Sequence, residues 1–189
     1  MGKRESTLGI PEFIVAILGV EPNGINGRTV IQKLGYFASE EMRKDVGYGP
    51  DFHGPFSPSI AGNLENLVGL DFVIEKGRWT SRGRTMYSYF LTDDGKGLAE
   101  EIKKDHPEEY SVIRDVVKKC GKTAHFDYNI LSWAAKLHFI LKRSRRKMTY
   151  NEATKVGPQQ AHLYGWELSG KEIDSALELL LALGLLKKR

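Results

Sequence analysis

Apolar residues recur at helical spacing in two stretches of the N-terminal quarter of the chain. Pro11 is predicted to open the first helix, because its fixed φ suits the first turn and its missing N–H is not needed there. Residues 21–27 are rich in Pro, Asn and Gly and end this helix, and Asn26 is predicted to cap the next one. The two apolar stripes are Phe13, Ile14, Ile17 and Leu18, and Val30, Ile31, Leu34, Phe37, Ala38 and Met42.

The pattern then predicts a helix, a short strand, a basic loop and a second strand. Ser57 is expected to cap the helix with Pro58 at its first position, since the hydroxyl accepts a backbone N–H and proline presets φ. Residues 72–74 and 86–91 alternate as antiparallel strands, and the loop 76–84 between them holds three arginines. This order is typical of a winged helix-turn-helix, with the loop as the wing. The buried stripe of the helix is Ile60, Leu64, Leu67 and Val68.

Beyond the second strand the chain is predicted to be helical. Residues 92–95 start a helix that Pro107 ends, and Asp127 caps a later helix that runs to residue 141. The 127–141 helix is apolar around more of its circumference than one exposed helix should be, so we expect a core or interface helix and a homodimer.

A weak repeat relates the predicted helix after Ser57 to the C-terminus. The apolar spacing of residues 60–70 recurs in residues 173–183. Two interpretations remain open: a second helix-turn-helix-like unit without a wing, or the common resemblance of leucine-striped amphipathic helices. We therefore predict a mainly α protein with an α+β wing, composed of a winged-helix domain at 8–104 and a helical C-terminal region at 105–189.

Composition and charge narrow the classes of function. The chain of 189 residues has no apolar stretch that could span a bilayer and a single cysteine, Cys120, which together indicate a cytoplasmic protein without membrane contact. The formal net charge is +4, but residues 1–100 carry 11 Lys and Arg against 13 Asp and Glu, whereas residues 101–189 carry 17 against 11. The predicted winged helix is therefore the acidic half, which argues against simple DNA wrapping by it.

Three short motifs carry a family resemblance. They are QKLGYF at residues 32–37, HGPFS at residues 53–57 and LTDDGK at residues 91–96. Together they resemble the YwgA-like and Panacea-domain group of bacterial and archaeal winged-helix proteins over residues 10–105. The resemblance implies a winged-helix fold in a small cytoplasmic protein, some members being antitoxins or adaptor-like partners. His53 stands where a Tyr is usual in that group.

Candidate nucleic-acid contacts fall in three places. On the exposed face of the helix after Ser57, Ser59, Asn63 and Asn66 can pair with base edges, although Glu65 on the same face would repel phosphate. The wing offers Arg78, Arg82 and Arg84, with Trp79 beside them. The run 142–147 has five cations in six residues, among them Arg143, Arg145 and Arg146. Each place has an alternative interpretation. The helix face could be solvated or bind a partner protein, and the hairpin tip could simply be solvated. The cations of the run 142–147 could complement a helix dipole.

Catalytic chemistry finds little support in the sequence. The five histidines are scattered without metal-ligand spacing, no glycine-rich phosphate loop is present, and Ser57 is not in a nucleophile elbow. We therefore expect no enzyme, cofactor or metal. The first hypothesis is a transcription-regulator-like protein that binds DNA, and the alternative is a protein-interaction module of antitoxin or adaptor type.

Overall fold

The structure is a computed structural model that describes residues 8–81, 83–144, 146–167 and 170–187, without the side chain of Lys171. The described chain is mainly helical, with eight α-helices and one three-stranded antiparallel sheet. It forms two compact units. Unit 1 holds residues 8–48 and 57–117, and unit 2 holds residues 49–56 and 118–187. In this described part, every helix is too short or too polar to cross a bilayer.

Unit 1 contains five helices and the sheet. The sheet has the order β1–β3–β2, so the last strand lies between the first two. Val73 pairs with Leu91 at one end of the β2–β3 ladder and Trp79 with Thr85 at the other. In chain order the elements are α1 (Ile10–Gly19), β1 (Ile25–Asn26), α2 (Arg28–Met42), α3 (Pro58–Gly69), β2 (Val73–Trp79), β3 (Thr85–Leu91), α4 (Asp93–Asp105) and α5 (Pro107–Ala124), whose last residues from 118 onward belong to unit 2.

Helix α1 is the centre of the core of unit 1. Six consecutive residues, Phe13 to Leu18, are at most 2% exposed, which is more than a one-sided stripe would bury. Helices α2, α3 and α4 pack around α1, so most of its circumference meets other helices. A helix that is apolar all round is stable only when enclosed in this way. The predicted stripe of Phe13, Ile14, Ile17 and Leu18 is therefore confirmed as part of a wider buried surface.

Gln32 joins α2 to the start of α3 through its side-chain amide. Its Nε2 donates to the carbonyl oxygen of Ser57 at 3.0 Å, and its Oε1 accepts from the N–H of Ser57 at 3.0 Å. Both residues are buried, at 5% and 0% exposure. The Ser57 hydroxyl caps α3 by accepting from Ile60 N at 3.2 Å, as predicted, and donates to the Val46 carbonyl. This single amide therefore fixes where α3 begins relative to α2.

Gln32 also binds Tyr48, the last residue of unit 1 before the segment 49–56. The chain leaves unit 1 after Tyr48 and returns at Ser57. The hydroxyl of Tyr48 donates to the Gln32 carbonyl at 2.7 Å, and a Cβ on Gly35 would lie only 2.7 Å from that hydroxyl oxygen. The QKLGYF motif thus places an amide for Ser57 and leaves room for the Tyr48 ring.

Two details of unit 1 differ from the predictions. Asn26 does not cap α2: it lies in β1, pairs with Ser88, and Gly27 at φ 96° is the capping residue. The wing loop is also shorter than 76–84, because residues 76–79 pair with residues 85–88. The polar sequence from Lys76 to Trp79 gave no alternating apolar signal, but the ladder satisfies its backbone groups without one.

Unit 2 is a helical bundle built on α6 (Tyr128–Leu141), which α7 (Tyr150–Ala161) and α8 (Gly170–Ala182) cover. Short 3₁₀ turns at Lys142–Ser144 and His162–Tyr164 follow α6 and α7. Asp127 caps α6 as predicted, accepting from the N–H groups of Asn129 and Ile130. Leu131, Ala134, Ala135 and Leu137 are fully buried, so the apolar circumference of α6 is explained by the core of its own unit. The homodimer stays a prediction.

The segment 49–56 packs on α6 within unit 2. Trp166 Nε1 donates to the Asp51 carbonyl at 2.9 Å, and a Cβ on Gly54, where φ is 93°, would lie 3.0 Å from Lys136 Cγ and 3.3 Å from the Ser132 carbonyl. The ammonium of Lys136 lies over the rings of Trp133 and Trp166, at 4.7 and 5.4 Å from their centroids. Gly54 of the HGPFS motif therefore lets the backbone of this segment approach Ser132 and Lys136 of α6 closely.

Two glycines of α4 allow a matched test of unit 1. Thr92 caps α4 and accepts from Gly95 N, and a Cβ on Gly95 would overlap the carbonyl oxygen of Phe72. A Cβ on Gly97 would meet no atom within 4 Å. We expect Gly95→Ala to lower the free energy of unfolding by about 2 kcal/mol and Gly97→Ala to raise it by up to about 1 kcal/mol. Urea denaturation followed by circular dichroism measures both. Equal effects of the two substitutions would contradict the packing of α4 on Phe72.

Candidate functional site

The exposed face of α3 in unit 1 carries the predicted base-contacting residues. Ser59 and Asn66 are exposed, and Asn63 is half-buried. Asn63 Nδ2 donates to the Ser59 carbonyl at 2.8 Å, one turn earlier in the same helix. That bond occupies one of the two amide hydrogens of Asn63 and orients its side chain along the helix. Asn66 is therefore the freer of the two amides for a contact outside the chain.

Glu65, on the same face of α3, is paired with Arg28 at the start of α2. Arg28 Nη1 lies 3.2 Å from Glu65 Oε1, its Nη2 lies 2.8 Å from Glu75 Oε2, and its Nε donates to the Tyr89 hydroxyl at 2.7 Å. The guanidinium also lies 5.7 Å from the centroid of the Tyr87 ring. Arg28 thus contacts both α3 and the hairpin, and the Glu65 charge that would repel phosphate has a cation beside it.

The ionisation of this cluster is fixed by its hydrogen bonds. Hydrogen bonds to Glu75 and Tyr89 raise the pKa of Arg28. Burial opposes ionisation of Glu75, but the hydrogen bonds from Tyr89 and Arg28 lower its pKa overall. Burial and the hydrogen bond to Glu75 raise the pKa of Tyr89. Arg28 and Glu75 are therefore a permanent ion pair at neutral pH, with a neutral Tyr89 between them.

The hairpin of β2 and β3 presents the arginines of the predicted wing. Arg78 lies in β2 opposite Met86, not in the loop, while Arg84 lies in the turn and both side chains are exposed. Thr80 N donates to the Arg84 carbonyl at 2.8 Å, and Gly83 has φ 70°, so the turn is tightly closed. Arg82 lies outside the described residues.

Aromatic side chains extend the hairpin surface beside Arg28. Trp79 is 72% exposed and Tyr87 39% exposed, and strand alternation places both on the same face as Glu75 and Tyr89. This is the face against which Arg28 lies. The exposed face of α3, Arg28 and the outer part of the hairpin therefore form one continuous surface of unit 1.

The basic run 142–147 lies in unit 2 at the end of α6. Arg143 is exposed and lies 5.4 Å from the ring centroid of Tyr164. Arg146 makes two hydrogen bonds to Glu152, at 3.0 and 2.7 Å, and Glu152 closes the capping box of α7 with Thr149. Hydrogen bonds from Arg146 and from the Thr149 backbone lower the pKa of Glu152 to about 2. Arg145 lies outside the described residues.

A pocket of about 270 Å³ opens beside this run within unit 2. Lys147 Nζ donates to the Gly184 carbonyl at 2.6 Å, which holds the basic run against the end of α8. His138 is 8% exposed at the pocket, and burial together with the Lys142 and Lys147 ammonium groups lowers its pKa to about 3. The described residues that line the pocket are His138, Leu141, Lys142, Arg146, Lys147, Met148, Leu185 and Leu186.

Arg28 and His138 are the two residues that the sequence did not single out. Arg28 follows the turn 21–27 directly, and an arginine at the start of a helix is unfavourable to the helix dipole, which is a signal that it serves another contact. His138 precedes the basic run on α6, but only its burial beside two lysines makes it unusual. Cys120 is buried, and burial raises its pKa to about 12, so its thiol stays protonated and unreactive.

The comparisons with known proteins leave the site to be interpreted from its geometry. No protein-family model matches this sequence, and no curated protein is significantly similar to it.

The charge is divided between the two units more sharply than between the two halves of the chain. Segments 1–48 and 57–117 carry 14 Lys and Arg against 17 Asp and Glu, a net charge of −3, whereas segments 49–56 and 118–189 carry 14 against 7, a net charge of +7.

The low pKa of His138 gives a prediction for the stability of unit 2. In the unfolded chain this histidine binds a proton below about pH 6.5, whereas in the folded protein it stays neutral until about pH 3. Stability is therefore lost as the pH falls through this window, by about 2 kcal/mol at about pH 5.

Urea denaturation followed by tryptophan fluorescence measures this loss, since Trp133 and Trp166 lie in unit 2. The His138→Gln variant is the control, because its free energy of unfolding should depend less on pH over the same range. A variant whose pH dependence equals that of the native sequence would show that His138 titrates normally in the fold.

Proposed function

We propose that this protein is a winged-helix regulator that binds nucleic acid. Helices α2 and α3 form the helix-turn-helix, and β2 and β3 form the wing. The order α1, β1, α2, α3, β2, β3 supports this proposal, as does the small sheet in which β1 pairs with β3. In such motifs the second helix of the helix-turn-helix enters the major groove and the hairpin contacts the adjacent backbone.

The observation that carries the proposal is the surface centred on Arg28. Arg28 pairs with Glu65 as well as Glu75, so the acidic group on α3 has a cation beside it, next to the amides of Asn63 and Asn66. An asparagine side chain can pair with the N6 and N7 edge of adenine, and Ser59 can contact several base edges. The hairpin supplies exposed cations: Arg84 in its turn, and Arg78, which strand alternation places on the face opposite Trp79 and Tyr87.

Phosphate contact outside this surface is assigned to unit 2. Its net charge is +7, and Arg143 and Arg146 are exposed in the basic run. By sequence, Arg145 belongs to this basic run, and Arg82 belongs to the hairpin loop of unit 1. Because backbone contacts supply most of the affinity and carry no sequence information, unit 2 is expected to strengthen binding to all sequences alike.

Fluorescence anisotropy with a labelled duplex of mixed sequence tests the proposal at low salt. We expect saturable binding whose logarithm falls linearly with the logarithm of salt concentration. Arg78→Gln and Arg84→Gln should each reduce the magnitude of the salt slope by about 1, since each removes one phosphate contact. Lys104→Gln, which removes an exposed cation of α4 in the same unit, should leave the slope unchanged.

Two results of this experiment would reject nucleic-acid binding by unit 1. One is the absence of binding to any duplex at low salt. The other is an equal loss of affinity in Arg84→Gln and Lys104→Gln. That result would show that the hairpin makes no specific phosphate contact and contributes only its net charge.

A protein-interaction module of antitoxin or adaptor type is the second candidate, and the hairpin supports it. Trp79 at 72%, Tyr87 and Met86 at 39% each and Ile74 at 37% are exposed, so both hairpin faces carry apolar area. Exposed aromatic and methionine side chains are enriched where proteins bind one another. In this case the duplex would not bind, and pull-down from the native host would recover a protein that nuclease treatment does not release.

A further inference from the structure

The pocket of unit 2 is open to solvent and is lined by three segments that hydrogen bonds hold together. His138 and Leu141 come from α6, Lys142 and residues 146–148 form one wall, and Leu185 and Leu186 form the other. Lys187 N donates to the Met148 carbonyl at 2.9 Å, and Thr149 and Lys187 form a parallel bridge. The wall that includes Met148 is thus joined to the chain after α8. The pocket is an open depression whose two walls are connected by backbone hydrogen bonds.

Its lining is divided into a cationic part and an apolar part. Lys142, Arg146 and Lys147 carry positive charge, and no described residue that lines the pocket is acidic. Leu141, Met148, Leu185 and Leu186 supply the apolar part. Ligand pockets combine a largely apolar wall with a few fixed polar groups in this way. A volume of about 270 Å³ is suited to a small molecule, not to a polymer.

Two of the cations are held in place before any ligand binds. Lys147 donates one ammonium hydrogen to the Gly184 carbonyl and retains two. Arg146 uses Nη1 and Nη2 in its bonds to Glu152 and retains its Nε hydrogen and two others. Fixed donors bind an anion with a smaller loss of side-chain entropy than free lysines or arginines would.

Lys142 and Lys147 place positive charge beside the buried His138 at the pocket. The imidazole is buried and lies close enough to Lys142 and Lys147 for both to oppose its protonation. With the Arg146 charge paired to Glu152, Lys142 and Lys147 still leave the lining with more positive than negative charge. An anion is therefore the class of ligand whose charge this pocket complements.

We propose that this pocket binds a small organic anion, with a phosphate or carboxylate group at Lys142, Arg146 and Lys147 and a short apolar body against Leu141, Leu185 and Leu186. The apolar wall favours such a molecule over the backbone phosphates of nucleic acid, which carry no apolar group to fill it. The site does not depend on nucleic-acid binding by unit 1. It would make the protein a receptor for a small metabolite.

Nuclear magnetic resonance of the full chain, with its histidines labelled, tests the site directly. Phenyl phosphate and benzoate are the two probes, and they distinguish a phosphate from a carboxylate head group. We expect a saturable shift of the His138 ring signals with at least one probe. Inorganic phosphate should bind at least about tenfold more weakly than phenyl phosphate, because it leaves the leucine wall empty.

Substitutions then assign the cations. Lys142→Gln and Lys147→Gln should each weaken binding about tenfold, the effect of losing one charge-assisted contact. Lys155→Gln, an exposed lysine of α7 that does not line the pocket, should leave it unchanged. The Lys142 variant keeps the test valid if loss of the Lys147 bond to Gly184 disturbs the fold.

Three outcomes would overturn the proposal. The first is that neither probe shifts the His138 signals in a saturable way. The second is that Lys142→Gln and Lys147→Gln bind as the native sequence does. The third is that inorganic phosphate binds as tightly as phenyl phosphate, since this would reassign the pocket to phosphate alone.

Discussion

A buried amide at Gln32 is the contact on which the arrangement of unit 1 depends. It satisfies both backbone groups of Ser57, while the Gln32 carbonyl accepts the Tyr48 hydroxyl. These two partners are the residues at which the chain leaves unit 1 and returns to it. Without the amide, a buried N–H and a buried carbonyl would lack partners at the start of α3, which costs about 1–3 kcal/mol for each group. Because Ser57 also caps α3, the direction of that helix follows from the contact.

Arg28 joins elements at the surface of unit 1, as Gln32 joins them in its core. It lies at the start of the helix that carries Gln32, and it links α3 to the hairpin through Glu65, Glu75 and Tyr89. The exposed ion pair to Glu65 contributes little to stability, within about 1 kcal/mol. Its larger effect is on charge, since it lies between Glu65 and Glu75, two carboxylates of the face proposed to meet nucleic acid. Unit 2 differs in kind: there the cations surround a pocket instead of a helix face, and the electrostatics act on His138.

The sequence predicted the elements better than it predicted their contacts. Capping residues such as Ser57, Thr92 and Asp127 act locally, so their side chains indicate where a helix starts without knowledge of the fold. Strand β1 has only two residues and shows no alternation, and the polar end of β2 lacks an apolar signal, so both depend on pairing with a distant strand. The site could be predicted only where it lies within one segment. The Arg28 cluster spans residues 28 to 89, and the pocket joins residues 138 to 186, separations that periodicity does not encode.

Hydrogen exchange at the Ser57 amide tests most directly whether Gln32 places α3. The comparison is between the native chain and Gln32→Met, with the amide of Ile17 in the buried helix α1 as an internal reference. We predict that Ser57 N–H and Ile60 N–H exchange much faster in the variant relative to Ile17 N–H, because the start of α3 opens locally. An unchanged ratio of these rates would show that α3 is held by its apolar packing alone, and that the amide contact is not what positions it.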